Sequence, residues 1–185
     1  MGKTAPNTVV EVILIMLNIG ETVVFGTEGI FTVEETTQKV IGGQKTDYYV
    51  LRSTNKANSV VYLPMNNQDL IEKAKPLLTK EEITRLIENI PNSEDCWVDD
   101  HKQRKEKFNR ILQSGDRENI IALAGTIYNK QKAQIAAHKK LNASDERILR
   151  EAERIINLEF AFVLNITPDE VKEYIRKRMI LNGTM

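Results

Sequence analysis

The side chains best suited to chemistry in this sequence lie in one short stretch. Asp95-Cys96-Trp97-Val98-Asp99-Asp100 contains the only tryptophan and the only cysteine, and Lys102, Arg104, Lys105, Lys107 and Arg110 follow directly. A flat indole beside cations can stack on an unpaired base or wedge against a base step while the cations hold phosphates. The competing reading is a tryptophan that closes a helical core, with lysines and arginines facing water because both are good helix formers. The basic character is local. Between residues 102 and 140 those five cations, with Arg117, Lys130, Lys132, Lys139 and Lys140, face only three acids, Glu106, Asp116 and Glu118. Over the whole chain 26 Lys and Arg balance 26 Asp and Glu, so the distribution, not the total, carries the signal. Such a cluster favours the DNA backbone by releasing condensed counterions, with an affinity that falls steeply as salt rises.

Arrangements that would mark an enzyme do not occur. The sequence has no Walker-type phosphate loop, no Gly-x-Ser-x-Gly elbow and no cysteine pair at metal spacing. Cys96 and His101, with Asp95, Asp99 and Asp100 nearby, suggest a metal site only weakly, since one Cys and one His near a helix start are ordinarily incidental. The expectation is therefore a protein without catalysis, metal, cofactor or small-molecule substrate. A lone cysteine cannot form an internal disulfide, and no stretch has the roughly 18 to 20 continuous apolar residues that span a bilayer. Both fit a cytoplasmic protein that avoids membranes. Val9-Val10-Glu11-Val12-Ile13-Leu14-Ile15 has some of the look of a signal-peptide core, but Glu11 interrupts it and no small-residue cleavage site follows. Residues 1–15 are expected to be an extension from an upstream start codon or an appended leader, with Met16 the natural start.

The elements that must position these residues fall into two halves. From Met16 to Pro64 the sequence favours strands: Glu21-Thr22-Val23-Val24-Phe25, Ile30 to Thr36, a run to Val40-Ile41, Tyr48-Tyr49-Val50-Leu51 and Val60-Val61-Tyr62-Leu63. Gly26-Thr27-Glu28-Gly29 and the hairpin pair Gly42-Gly43 punctuate them. Five short strands close most naturally as a small antiparallel Tudor/SH3-like β barrel. The period changes in the polar stretch Met65-Asn66-Asn67-Gln68, and everything beyond reads as helix. Thr79 and Glu82 form a capping-box signature ahead of Ile83, Leu86, Ile87 and Ile90, and Pro91-Asn92-Ser93 ends that helix. Further helices are expected from about Val98 to Gln113 before Gly115, from Arg117 to about His138, after Ser144 to about Leu164, and after the cap Thr167-Pro168-Asp169-Glu170. The fold class is α+β, with a β domain over 16–65 and an all-α helical bundle over 66–185.

In order along the chain, Leu17-Asn18-Ile19-Gly20-Glu21-Thr22-Val23-Val24-Phe25, Gly29, Ile41-Gly42-Gly43, Asp47-Tyr48-Tyr49-Val50-Leu51 and Leu63-Pro64 resemble the amino-terminal domain of CarD and CdnL proteins. That domain also occurs in the transcription-repair coupling factor. The resemblance continues through Trp97, Ser114-Gly115-Asp116, Leu141, Asp145-Glu146-Arg147 and Ala152-Glu153, and covers about residues 16–165. It implies a Tudor-like domain that binds the β subunit of bacterial RNA polymerase, followed by a helical domain that contacts promoter DNA with little sequence preference. It further implies a tryptophan wedge at the upstream edge of the transcription bubble that stabilises the open complex. By correspondence, Lys39, Ile41 and Tyr62 face the polymerase, Trp97 is the wedge, and Lys102, Arg104, Lys105, Lys107, Lys139, Lys140 and Arg147 contact DNA. Tyr62 stands where a basic residue is common, Gly26 where proline is usual and Glu28 where histidine is frequent. The spacing from Trp97 to Ser114 is about one helical turn longer than usual for the family. A protein-only adaptor, whose Tudor-like domain binds a partner edge to edge without DNA, is the other functional class the sequence admits.

Overall fold

The computed structural model describes residues 16–90 and 94–181. The expected extension over 1–15 and the expected helix stop at Pro91-Asn92-Ser93 lie outside the described residues. The chain forms β1 (Thr22–Phe25), β2 (Gly29–Ile41), β3 (Gln44–Ser53), β4 (Val60–Pro64), α1 (Gln68–Ile71), β5 (Ala74–Pro76), α2 (Lys80–Asn89), α3 (His101–Ser114), α4 (Arg117–Ala136), α5 (Ala143–Leu164) and α6 (Pro168–Leu181). It is an α+β fold, an antiparallel five-stranded sheet followed by helices. Among the described residues no helix is long and apolar enough to cross a membrane.

The sheet runs β4-β3-β2-β1-β5. The two strands expected between Ile30 and Ile41 are one, because a bulge at Val33/Glu35 inserts Glu34 without ending the ladder. Arg52 of β3 holds the Glu34 carboxylate there at 2.9 Å and keeps it below the usual carboxylate range. The fifth strand comes instead from Ala74–Pro76, which pairs with β1, so the sheet reaches beyond the expected boundary at 65 into a stretch read as helix. Three residues ending in proline carry no periodic signal, and proline is tolerated here because β5 is an edge. Gly42 and Gly43 close the β2–β3 hairpin with φ of 59° and 82°, the paired left-handed turn that matches the twist of the strands.

Both faces of β1 are buried, which explains its continuous apolar run. Val23 joins Leu17, Phe31, Val33, Tyr49, Leu51 and Leu63 in one core, together with Ile71 of α1. Val24, paired with Ile30, faces the other way, and both line a small cleft with Ile155 and Leu158 of α5. The sheet is thereby docked on the longest helix. The helical core gathers Ile83 and Ile87 of α2, Phe108 and Leu112 of α3, Ile120, Leu123 and Ile127 of α4, and Ile148, Ala152 and Phe160 of α5.

Local signals set the helix ends. Thr79 and Glu82 form the full capping box, and the Thr79 backbone N–H holds the Glu82 carboxyl below its ordinary range. Gly115 ends α3 at φ 62°, and Asp116, Asn142 and the Thr167–Glu170 pair cap the next three helices. Helix α3 begins at His101, later than the expected Val98, because Asp100 accepts the Gln103 backbone N–H at 2.8 Å and fixes the start. Trp97 therefore lies on an irregular segment ahead of the helix.

At the junction of sheet and helices, Arg117, partly exposed, and the buried Glu159 form a fork-to-fork pair with both bonds at 3.0 Å. Arg117 also donates to the Pro76 carbonyl at 2.9 Å, and Glu159 accepts the Leu78 backbone N–H at 3.0 Å. Lys75 donates to the Ser114 carbonyl, and Arg154 of α5 to the Thr27 carbonyl in the β1–β2 turn. Unpairing one member of a buried ion pair costs about 3 to 5 kcal/mol. Glu159→Gln is thus expected to lower the unfolding free energy by about 3 kcal/mol in urea titration, and an unchanged midpoint would contradict the role given to this pair.

Candidate functional site

The segment 95–100 is held at nearly every residue. The Cys96 backbone N–H donates to the Thr126 hydroxyl of α4 at 3.2 Å, and the Trp97 backbone N–H to the Asp95 carboxylate at 2.9 Å. The indole N–H donates to Asp99 at 3.1 Å. Trp97 is half-buried: its ring meets Phe108 edge-on at 6.2 Å, while the Arg104 guanidinium lies 4.2 Å and the Lys130 ammonium 4.7 Å from its ring centroid. The indole packs against the helical core and keeps part of its surface exposed.

The basic run does not form one face. At about 100° per residue, five cations within nine positions must point around α3. Lys102 and Lys105, one turn apart, are exposed. Lys107 and Arg110, also one turn apart, line a cavity of about 680 Å³ between α2, α3 and α4, together with Ile90, Cys96 and Glu118. Arg104, one of the expected DNA contacts, is only 6% exposed and points inward. Its guanidinium pairs with Asp145 of α5 and donates to the carbonyls of Val98 and Asp99. Lys139 and Lys140, between α4 and α5, and Arg147 in the first turns of α5 are all exposed. Sequence reasoning named Asp145 and Lys130 but not their places in the site: Asp145 looks like an ordinary first-turn acid, and the approach of Lys130 to Trp97 depends on how α4 packs.

On the sheet, β2 and β3 outrun β4. Lys39 to Ile41 pair with Gln44 to Thr46 alone, so the hairpin projects as a two-stranded arm. Its tip exposes Val40 and Ile41, the latter at 64%. Lys39 lies with its ammonium 3.0 Å from the ring centroid of Tyr62, which is 47% exposed on the edge strand β4. Lys39 and Tyr62 thus act as one amphipathic unit, since a cation over an aromatic face is attracted by the ring quadrupole. The aromatic ring at position 62 gains a positive charge from its neighbour in place of carrying one itself.

Residues 17–75 match the CarD-like/TRCF RID domain. The RID match spans β1 to β4, α1 and the start of β5, and ends before α2. It includes the projecting hairpin and the Lys39–Tyr62 pair. No curated protein matches the chain. The C-terminal limit of the RID match at Lys75 lies close to the end of the observed sheet and beyond the expected boundary at 65.

Among the described residues no group of three His, Cys, Asp or Glu side chains could hold a metal ion. Burial pushes the Cys96 thiol pKa up, which lowers its thiolate fraction at neutral pH. Alkylation of Cys96 by iodoacetamide at pH 7.5 should therefore run several-fold slower than that of an unstructured cysteine peptide. Equal rates would show that the segment 95–100 opens freely.

Proposed function

We propose that this chain is a bacterial transcription regulator that joins RNA polymerase to promoter DNA. The RID sheet binds the polymerase β subunit through Lys39, Ile41 and Tyr62. The helical part contacts the upstream edge of the transcription bubble and stabilises the open complex. The observation that carries this reading is the match of residues 17–75 to a domain named for its interaction with RNA polymerase. The DNA arm of the proposal draws support from Trp97, an anchored indole with part of its surface free, and from the exposed Lys102, Lys105, Lys139, Lys140 and Arg147. An indole packed against an unstacked base step disfavours reannealing, and such aromatic contacts are worth about 1 to 3 kcal/mol each. The protein carries out no chemical step in this reading and acts in the cytoplasm, where polymerase and promoter meet.

Phosphate contacts carry little sequence information, so the preference is for the shape of the fork over its bases. The adaptor alternative keeps the polymerase contact and dispenses with DNA. Open-complex lifetime with a cognate bacterial polymerase separates the two. Trp97→Ala should shorten the lifetime conferred by the wild type about tenfold, a loss near 1.4 kcal/mol, while polymerase affinity stays unchanged. A wild-type protein that binds polymerase without affecting lifetime would favour the adaptor. Replacing Lys102 and Lys105 together by Gln should also flatten the dependence of log affinity on log salt by about 0.9 per lost phosphate contact. An unchanged slope would leave those lysines as solvated surface.

A further inference from the structure

We infer that Arg104 and Asp145 are positioning residues for Trp97: the buried guanidinium fixes the pose of the indole and takes no part in phosphate binding. The DNA consequences of this inference rest on the function proposed above; the claim about the pose of Trp97 does not.

Four donations account for the guanidinium. Nη1 reaches the carbonyls of Val98 at 2.7 Å and Asp99 at 2.9 Å, the two residues that follow Trp97. Nη2 and Nε reach the two carboxylate oxygens of Asp145 at 3.0 and 3.4 Å. The pair is shielded, with side-chain exposures of 8% and 1%. A guanidinium engaged by a carboxylate on one edge and two carbonyls on another has no free fork for a phosphate. Its location gives it a different task. The fork ties down the backbone leaving Trp97, the guanidinium sits over the indole, and Asp99, whose carbonyl Arg104 holds, accepts the indole N–H. Asp145 anchors the assembly to α5, and Phe108 supports the ring from α3.

The arrangement links the wedge to two helices through one side chain. An indole held in a single orientation loses less freedom on meeting a base step than a mobile one, so preorganisation appears directly as affinity. Lysine cannot replace the fork, because a point charge on a flexible stem cannot span two carbonyls and a carboxylate or cover a ring.

Trp97 is the only tryptophan, so intrinsic fluorescence reports on it alone. The test measures acrylamide quenching and fluorescence anisotropy of the full-length protein, below the melting temperature of each form, for wild type, Arg104→Lys, Arg104→Gln and Asp145→Asn. Affinity for a forked duplex is then measured across a salt series. The inference expects quenching to rise at least twofold and anisotropy to fall in all three variants, with unchanged far-ultraviolet circular dichroism. It expects affinity for the fork to drop about tenfold with the salt slope unchanged. A slope flattened by about 0.9 in Arg104→Gln would make Arg104 a phosphate contact and overturn the inference. Unchanged quenching and anisotropy would overturn it too, leaving the pair as a stabilising contact only. If the wild type does not bind forked DNA, the DNA arm of the proposed function fails, and the fluorescence alone decides the positioning claim. If no variant folds, the order parameter of the wild-type indole N–H decides: a value like that of the α3 backbone supports the inference, and a mobile indole contradicts it.

Discussion

The pair formed by Arg117 and the buried Glu159 is the constraint on which the arrangement of the molecule depends. Glu159 sits in the C-terminal half of α5 and is 2% exposed, in a position where an unpaired carboxylate would be heavily penalised. Its two oxygens are met by the Arg117 fork and by the Leu78 backbone N–H, and Arg117 reaches on to the Pro76 carbonyl. The Pro76 carbonyl and the Leu78 N–H, at the crossing from sheet to helices, are thus satisfied by side chains of α4 and α5. Val24 and Ile30 line a small cleft with Ile155 and Leu158 of α5, which docks the sheet on the helices beside this junction. Under the proposed function such docking counts, because a second contact with one large complex then forms with a smaller loss of orientational freedom.

Charge is used in two ways in the helical half. Arg104 and Arg117 are turned inward, each against one carboxylate and two backbone carbonyls, and contribute to architecture. Lys102, Lys105, Lys139, Lys140 and Arg147 stay in water, where they are available to a polyanion. The two inward positions suit arginine over lysine. Arginine offers a planar fork that can satisfy several buried acceptors at once, whereas lysine keeps its strongly hydrated ammonium at the surface. A neutral total charge coexists with a locally basic stretch because acids outside residues 102–140 balance it.

How much of this was legible in the sequence depended on the range of the signal. Val23-Val24-Phe25, the Gly42-Gly43 turn, the Thr79–Glu82 box and Gly115 are local, and the structure realises each of them. Ala74–Pro76 is too short to show a period, and its pairing with β1 depends on tertiary closure, so it was read as part of a helical half. The late start of α3 turned on which of Val98 and Asp100 would dominate, and a capping carboxylate outweighed one apolar residue. In the candidate site, residue types pointed to Trp97 and the exposed lysines. The inward turn of Arg104 did not show, since its partner Asp145 lies 41 positions away with no pattern linking them. The Lys39–Tyr62 stack was hidden for the same reason, as the two residues lie on different strands.

The central claim of the proposed function is that one chain touches polymerase and DNA together. Site-directed photocrosslinking in a promoter open complex tests it most directly, with a benzophenone side chain placed at Val40 on the hairpin or at Gln103 on α3, both exposed and neither assigned a contact. The account predicts that position 40 crosslinks to the polymerase β subunit and position 103 to DNA at the upstream edge of the bubble. Crosslinking at position 40 with only protein captured at position 103 would contradict the DNA arm, and crosslinking at neither position would contradict the whole account.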